Sequence, residues 1–399
     1  MVVALDGIRV VDGGRSVKRS LYFAEGRIVD SESAELRLDL RGHLVSPALI
    51  NSHDHLHLNS IPRLRHRSPF PNSYAWMDAF QPFFKQPEVM AALAVPVDVR
   101  LWHGGLKNVL SGVTTVAHHD PLHPVLAAPD FPVRVLRDYG WSHSLGLGTK
   151  DKSRSSLQYG PPVMESCRAT PPAMPWFIHL AEGIDDVAAI EIDELDDIGC
   201  LGPNTVLIHG VCLTNADLNR VIRRGAGVVW CPHSNQRLFG RTLAPRRLQG
   251  AGRLALGTDS RLTGSSDLLE ELKTAAALSD LSPPQLFELV TSAGARLLRM
   301  PEVGGMAPGM HADLMILRDT GRDPGDELLT LTRSEIRAVV KDGVPVIADP
   351  DFEPWFAACH VETARVRLDG IPKLIAASAL GRRGAAGLEP GLEPENSHG

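Results

Sequence analysis

The sequence predicts an α/β chain: a parallel (β/α) barrel of the TIM type, beside a small β unit built from both chain ends. Three observations carry this. Short apolar runs recur between residues 48 and 258, and most of them end in a histidine or a carboxylate. Helical patterns separate the runs, which is the rhythm of a parallel barrel. Turn-punctuated short strands occupy the first 47 residues and return after residue 302.

The barrel elements follow in order. Leu49-Ile50-Asn51-Ser52-His53-Asp54-His55 reads as the first strand, with Pro47 at its start, where no ladder donor is needed. Side chains alternate on a strand, so His53 and His55 project to one side. The stretch 58–90 is long and rich in Pro, Arg and aromatics. A connection of that length is usually functional, and it reads as a lid or substrate wall containing Trp76. Residues 91–110 have helical spacing. Further strands are expected at 112–120, which ends in His118, His119 and Asp120, and at 141–147, 176–182, 205–210, 227–235 and 254–260. That makes seven. An eighth is expected in the Pro- and Ser-rich stretch 153–175 or is missing, so the barrel is irregular or short of one strand. Among the helices, 217–224, 266–278 and 283–300 stand out. Ser265 is the expected N-cap of the second, whose first turns carry Asp267, Glu270 and Glu271.

Domain limits follow from the same pattern. Residues 1–47 and 302–350 form one composite β unit, and 48–301 form the barrel. Residues 351–380 are a C-terminal extension. The stretch 381–399 holds Gly-Leu-Glu-Pro twice and reads as a disordered tail.

Composition narrows the function classes. With 43% hydrophobic and 22% charged residues, the chain is an ordinary soluble globular protein. A net charge of −6 without a basic block gives nucleic-acid binding no electrostatic support. Five cysteines without CxxC spacing suit a reducing, cytoplasmic compartment. No run reaches the roughly 18 apolar residues of a membrane helix. The expected partner is a small-molecule substrate, and a homodimer stays open as an alternative to a monomer.

The ordered set Pro47-Ala48-Leu49-Ile50-Asn51-Ser52-His53-Asp54-His55, His179-Leu180-Ala181-Glu182, His209-Gly210, Cys231-Pro232-His233-Ser234-Asn235, Gly257-Thr258-Asp259-Ser260 and Gly309-Met310-His311-Ala312-Asp313-Leu314 resembles the amidohydrolase superfamily. Its nearest likeness is to the deaminase and chlorohydrolase branch, over roughly residues 5–345. The resemblance implies a metal-dependent TIM-like barrel with a β-sandwich made from both chain ends. It departs from the family at Ala48, where glycine is common.

By this resemblance, His53, His55, His179 and Asp259 are the ligand set for one divalent metal. Three neutral imidazoles and a carboxylate suit Zn²⁺, with Fe²⁺ the alternative in the same geometry. Such an ion lowers the pKa of its water toward ~7. Asp259 can take a proton from that water, the matching His209 orients the attack, and Glu182 is the proton shuttle. A rival reading makes Glu182 a solvated helix-start residue. His57, Trp76, His119, His233 and Asn235 are candidate substrate contacts, with Arg63, Arg65, Tyr74 and Arg261 as further wall candidates. A dinuclear site would need a carbamylated lysine, for which Lys150 or Lys152, after the third strand, is the candidate. The implied reaction is hydrolytic deamination of an amino-substituted nitrogen heterocycle. Hydrolysis of a cyclic or N-acyl amide on the same metal, and a catalytically silent scaffold, are the alternatives.

Overall fold

The computed structural model describes residues 1–12, 15–148, 153–381 and 384–395. Eight parallel strands surround its centre: Leu49–Asp54, Val113–His118, Arg134–Val135, Gly140–Ser144, Trp176–Leu180, Thr205–His209, Gly227–Trp230 and Leu254–Leu256. Most are buried on both faces, which is why they read as continuous apolar runs instead of alternating ones. They pair as one block of three and one of five. The blocks meet where Thr258 and Asp259 N–H donate to His53 O, and His55 N–H donates to Asp259 O. At the other seam no ladder joins Arg134–Val135 to Gly140–Ser144 among the described residues.

The eighth strand therefore exists, but not where it was expected. It is Arg134–Val135, two residues after Pro132, too short to show any periodicity. The stretch 153–175 instead carries the helix Val163–Ala169. Other expectations shift for local reasons. The long segment 58–90 contains the helix Ser73–Phe83, capped by Asn72 Oδ1 accepting from Ala75 N–H at 3.0 Å. The helical stretch 91–110 is divided at Val95 and Pro96 into Pro87–Ala94 and Val97–Leu110. The helix Leu268–Leu278 is capped by Asp267, not Ser265. The helix expected at 283–300 is two, Pro283–Leu289 and Ser292–Leu297, interrupted at Thr291, whose ψ of −106° is not helical. Among the described residues no helix is long and apolar enough to cross a membrane.

Both chain ends join in one eleven-stranded sheet. His43–Pro47 runs antiparallel to Leu314–Arg318, with Leu314 opposite Pro47, and so stitches the N-terminal strands to the C-terminal ones directly before the first barrel strand. The extension is part of this sheet: Thr363–Leu368 and Ile371–Ala376 add two strands. The expected disordered tail is corrected for its described part. Leu392–Pro394 pairs with Thr363–Leu368, and Glu389 is buried. Residues 382–383 and 396–399 lie outside the described residues.

Candidate metal centre and substrate cavity

Four imidazoles and one carboxylate converge at the C-terminal ends of the strands. Candidate donor atoms of His53, His55 and His179 lie within 4.8 Å of one another, as do those of His53, His209 and Asp259. Asp259 Oδ1 is 3.7 Å from His53 Nε2 and 3.6 Å from His55 Nε2. The backbone is bent to achieve this. Ala181, His209 and Asp259 are non-glycine residues with φ of 52°, 73° and 62°. Such left-handed conformations cost of order 1 kcal/mol or more each, and persist where surroundings over-determine them. Gly257 lets the last strand close on the first, since a Cβ there would lie 2.7 Å from His53 Cβ.

The ring nitrogens are divided between protein and site. His55 Nδ1 pairs with Asp120 Oδ2 at 2.6 Å. His179 Nδ1 donates to His143 O at 2.8 Å, and His209 Nδ1 donates to Asn235 Oδ1 at 2.8 Å. In each ring this leaves Nε2 for the site. His53 is buried with neither nitrogen hydrogen-bonded. Burial pushes the His53 ring down to about 4 and holds His179 well below the usual imidazole range, so both are neutral with a free lone pair. Burial opposes a charge on His55 too, but Asp120 outweighs it and holds that ring up to about 9, so a metal would have to displace its proton. With that exchange, buried imidazoles beside a carboxylate, braced from behind by carbonyl and carboxylate groups, fit a divalent cation.

A cavity of about 380 Å³ opens onto this cluster. Glu182 lines it, with Oε1 3.8 Å from His209 Nε2 and accepting from Trp76 Nε1–H at 3.1 Å. Burial raises the Glu182 carboxyl above its ordinary range. Asp259 Oδ2 accepts from Thr263 Oγ1 at 2.6 Å. Trp76, Met77, Phe80 and Phe84 form an apolar wall, with His57 beside it.

Not every sequence candidate lies on this cavity. His119 sits behind it, its ring 4.4 Å from that of His179 and its Nε2 3.1 Å from Ser142 O. Asn235 is wholly buried and holds His209. His233 is turned toward Thr274, with Nδ1 3.4 Å from its Oγ1. None of the three lines the cavity. Arg63 donates to Arg261 O and Gly264 O, Tyr74 to Glu191, and Arg261 to Glu389, so these are structural contacts and not cavity walls. Lys150 and Lys152 lie outside the described residues. Sequence reasoning missed His143 and Tyr159, both on the cavity, and Asp120, which braces His55. Asp120 stands at a strand tip directly after His118 and His119, and that position was its only signal.

A parallel barrel whose strand tips gather imidazoles and carboxylates in this way defines a metal-site α/β barrel. Residues 152–346 match the model of the amidohydrolase family. The chain is 25% identical to an 8-oxoguanine deaminase of Pseudomonas aeruginosa, over 85% of this chain and 92% of that one. It is 23% identical to a 5'-deoxyadenosine deaminase of Methanothermobacter thermautotrophicus, over 88% and 94%. A solved structure of an adenosine deaminase from Xanthomonas campestris with bound zinc shares the fold, with TM-score 0.68 and 19% identity over 90% of this chain and 96% of that one. Over residues 152–346 the chain is similar to the amidohydrolase family, in line with its motifs.

Proposed function

We propose that this chain is a metal-dependent hydrolase that deaminates an amino-substituted nitrogen heterocycle. The names of its relatives, deaminases of a purine base and of nucleosides, favour the purine class. The observation that carries the reading is the meeting of Glu182, His209 and Asp259 on one cavity beside His53, His55 and His179. A divalent ion, zinc in this proposal and Fe²⁺ as the alternative, would be held by His53, His55, His179 and Asp259 and would supply a water acidified toward pKa ~7.

The protein groups do the rest. Asp259 takes a proton from the attacking water. Its Oδ2 is fixed by Thr263, so Oδ1 faces the imidazoles. His209, locked by Asn235, presents Nε2 to the substrate and polarises the carbon under attack. Glu182, oriented by Trp76, delivers a proton to the ring nitrogen or the departing amine. A carbon–oxygen bond forms, the exocyclic carbon–nitrogen bond breaks, and ammonia leaves. His57 and the aromatic wall flank a planar ring. The barrel, 48–301, carries the chemistry, and the composite unit of 1–47 and 302–350 braces it. The unpaired cysteines Cys167, Cys200, Cys212, Cys231 and Cys359 support a reducing, cytoplasmic setting.

The test is ammonia release from purines, pyrimidines, pterins and triazines by chain loaded with Zn²⁺ or Fe²⁺, with metal content measured in parallel. Turnover of at least one amino-heterocycle is expected. Loaded chain that releases ammonia from none of them, yet opens cyclic amides, would refute the deaminase reading.

A further inference from the structure

Outside the ligand set, one buried carboxylate is gripped by three basic side chains. Glu389, from the C-terminal segment, has a fully buried side chain. It pairs with His103 Nε2 at 2.9 Å, accepts from Arg261 Nη1 and Nη2 at 2.7 and 2.8 Å, and accepts from Arg333 Nη1. Arg261 stands two residues after Asp259, on the loop leaving the last barrel strand. Its backbone N–H donates to Asn59 Oδ1 at 3.1 Å, and Asn59 Nδ2 donates to Asp54 Oδ1 at 2.8 Å. Lys107 Nζ ties the last two together, 2.9 Å from Asn59 Oδ1 and 3.1 Å from Asp54 Oδ2. Asp54 lies between His53 and His55.

Continuous contacts thus run from the end of the chain to both segments that supply His53, His55 and Asp259. Glu389, Arg261, Asn59 and Asp54 do not line the cavity, so they do not touch substrate there. Stability alone is a weak reason for such a cluster, because apolar residues of similar volume often do as well. Geometry is a better one. A bidentate carboxylate fixes the plane of a guanidinium, and outer contacts that hold ligands in place govern metal affinity.

We propose that Glu389 is a positioning residue for the metal-ligand set, acting through Arg261 on the Asp259 loop and through Asn59 on the His53–His55 segment. This rests on the ligand set of the proposed function. The test uses the full chain and two readouts, zinc affinity by chelator competition and the absorption spectrum of the cobalt(II) form. Glu389→Gln puts an amide donor against the guanidinium, and Arg261→Lys removes the fork from the other side, so the second carries the test if the first does not fold. Both are expected to weaken zinc binding about tenfold and to change the cobalt spectrum. Glu393→Gln, the matching but exposed position of the second Gly-Leu-Glu-Pro, is expected to change neither. Leu392→Ala loosens the same segment, lowering the melting temperature without moving the spectrum. Wild-type zinc affinity and spectrum in both Glu389→Gln and Arg261→Lys would overturn the proposal. So would an equal metal defect in Leu392→Ala. A wild-type chain that holds neither zinc nor cobalt would overturn the ligand set itself, and this proposal with it.

Discussion

Two imidazole–carboxylate clusters stand at opposite ends of the barrel strands, and in one of them a guanidinium of the protein sits among the donors. At the C-terminal tips, His53, His55, His179, His209 and Asp259 converge, and neither ring nitrogen of His53 has a hydrogen-bond partner. At the N-terminal ends, donor atoms of His311, Asp313 and Asp342 likewise lie within 4.8 Å of one another. There, however, the Arg134 guanidinium fills the space. It bonds Asp313 through Nη1 and, through Nη2, reaches His311 Nδ1 at 3.0 Å and Asp342 Oδ1 at 2.5 Å. Residue types and spacing are therefore not enough to make a metal site. A guanidinium already in place turns the second cluster into a clamp between the barrel and the large sheet.

The sharpest way to break this contrast is Asp259→Asn. Ligand charge and proton acceptor are lost together, so turnover should fall by about 10³-fold or more and metal content should drop. Appreciable residual activity with full metal occupancy would count against both roles. Glu182→Gln should fall by about 10²–10⁴-fold while metal content by elemental analysis stays at the wild-type value. Unchanged turnover would remove Glu182 from the mechanism. At the other end, Arg134→Ala strips the resident cation from two carboxylates. A loss of about 3 kcal/mol in denaturant unfolding is expected, the low end for a broken buried pair because Asp342 is partly exposed. Added Zn²⁺ should recover part of it. A variant neither destabilised nor rescued would show that the guanidinium does not decide the cluster's character.

A further effect, read against pH, concerns a buried carboxylate with no cation facing it among the described residues. Glu271 accepts from His233 N–H at 2.8 Å and lies near Ser265, while Asp259 and Glu270 repel its charge. Burial pushes its pKa from the usual 4.5 up to about 8. The folded chain therefore holds a proton that the unfolded chain releases. This contribution is fully present below pH 4.5 and is lost as pH rises through about 8. Unfolding curves from pH 5 to 9 should show that decline in the wild type and not in Glu271→Gln. Parallel curves for the two would mean that Glu271 is ionised in the fold.

What the sequence revealed follows from what each residue depends on. His53, His55, His179, His209 and Asp259 sit at the ends of apolar strands, so local pattern placed them at strand tips, and the family resemblance supplied their roles. Arg134–Val135 was invisible because two residues have no period. Asp120, His143 and Tyr159 act through pairings made in space: Tyr159 Oη donates to Asp120 Oδ1 at 2.6 Å across 39 positions. His233 and Asn235 were drawn in by their place after a strand, but the helix Pro232–Phe239 turns one toward Thr274 and the other under His209. The tail misled for a related reason. Glu389 and Glu393 occupy the same position in identical four-residue words, yet one is buried and the other exposed, so no local signal separates them.

The pairing of His43–Pro47 with Leu314–Arg318 also bears on biosynthesis. At about 5–20 residues per second, the ribosome needs some tens of seconds to supply the second partner after the first has emerged. During that interval the N-terminal strands carry an unzipped flank, open to any other extended segment nearby. Slower translation or missing chaperones should therefore hurt yield through this flank before they affect the barrel.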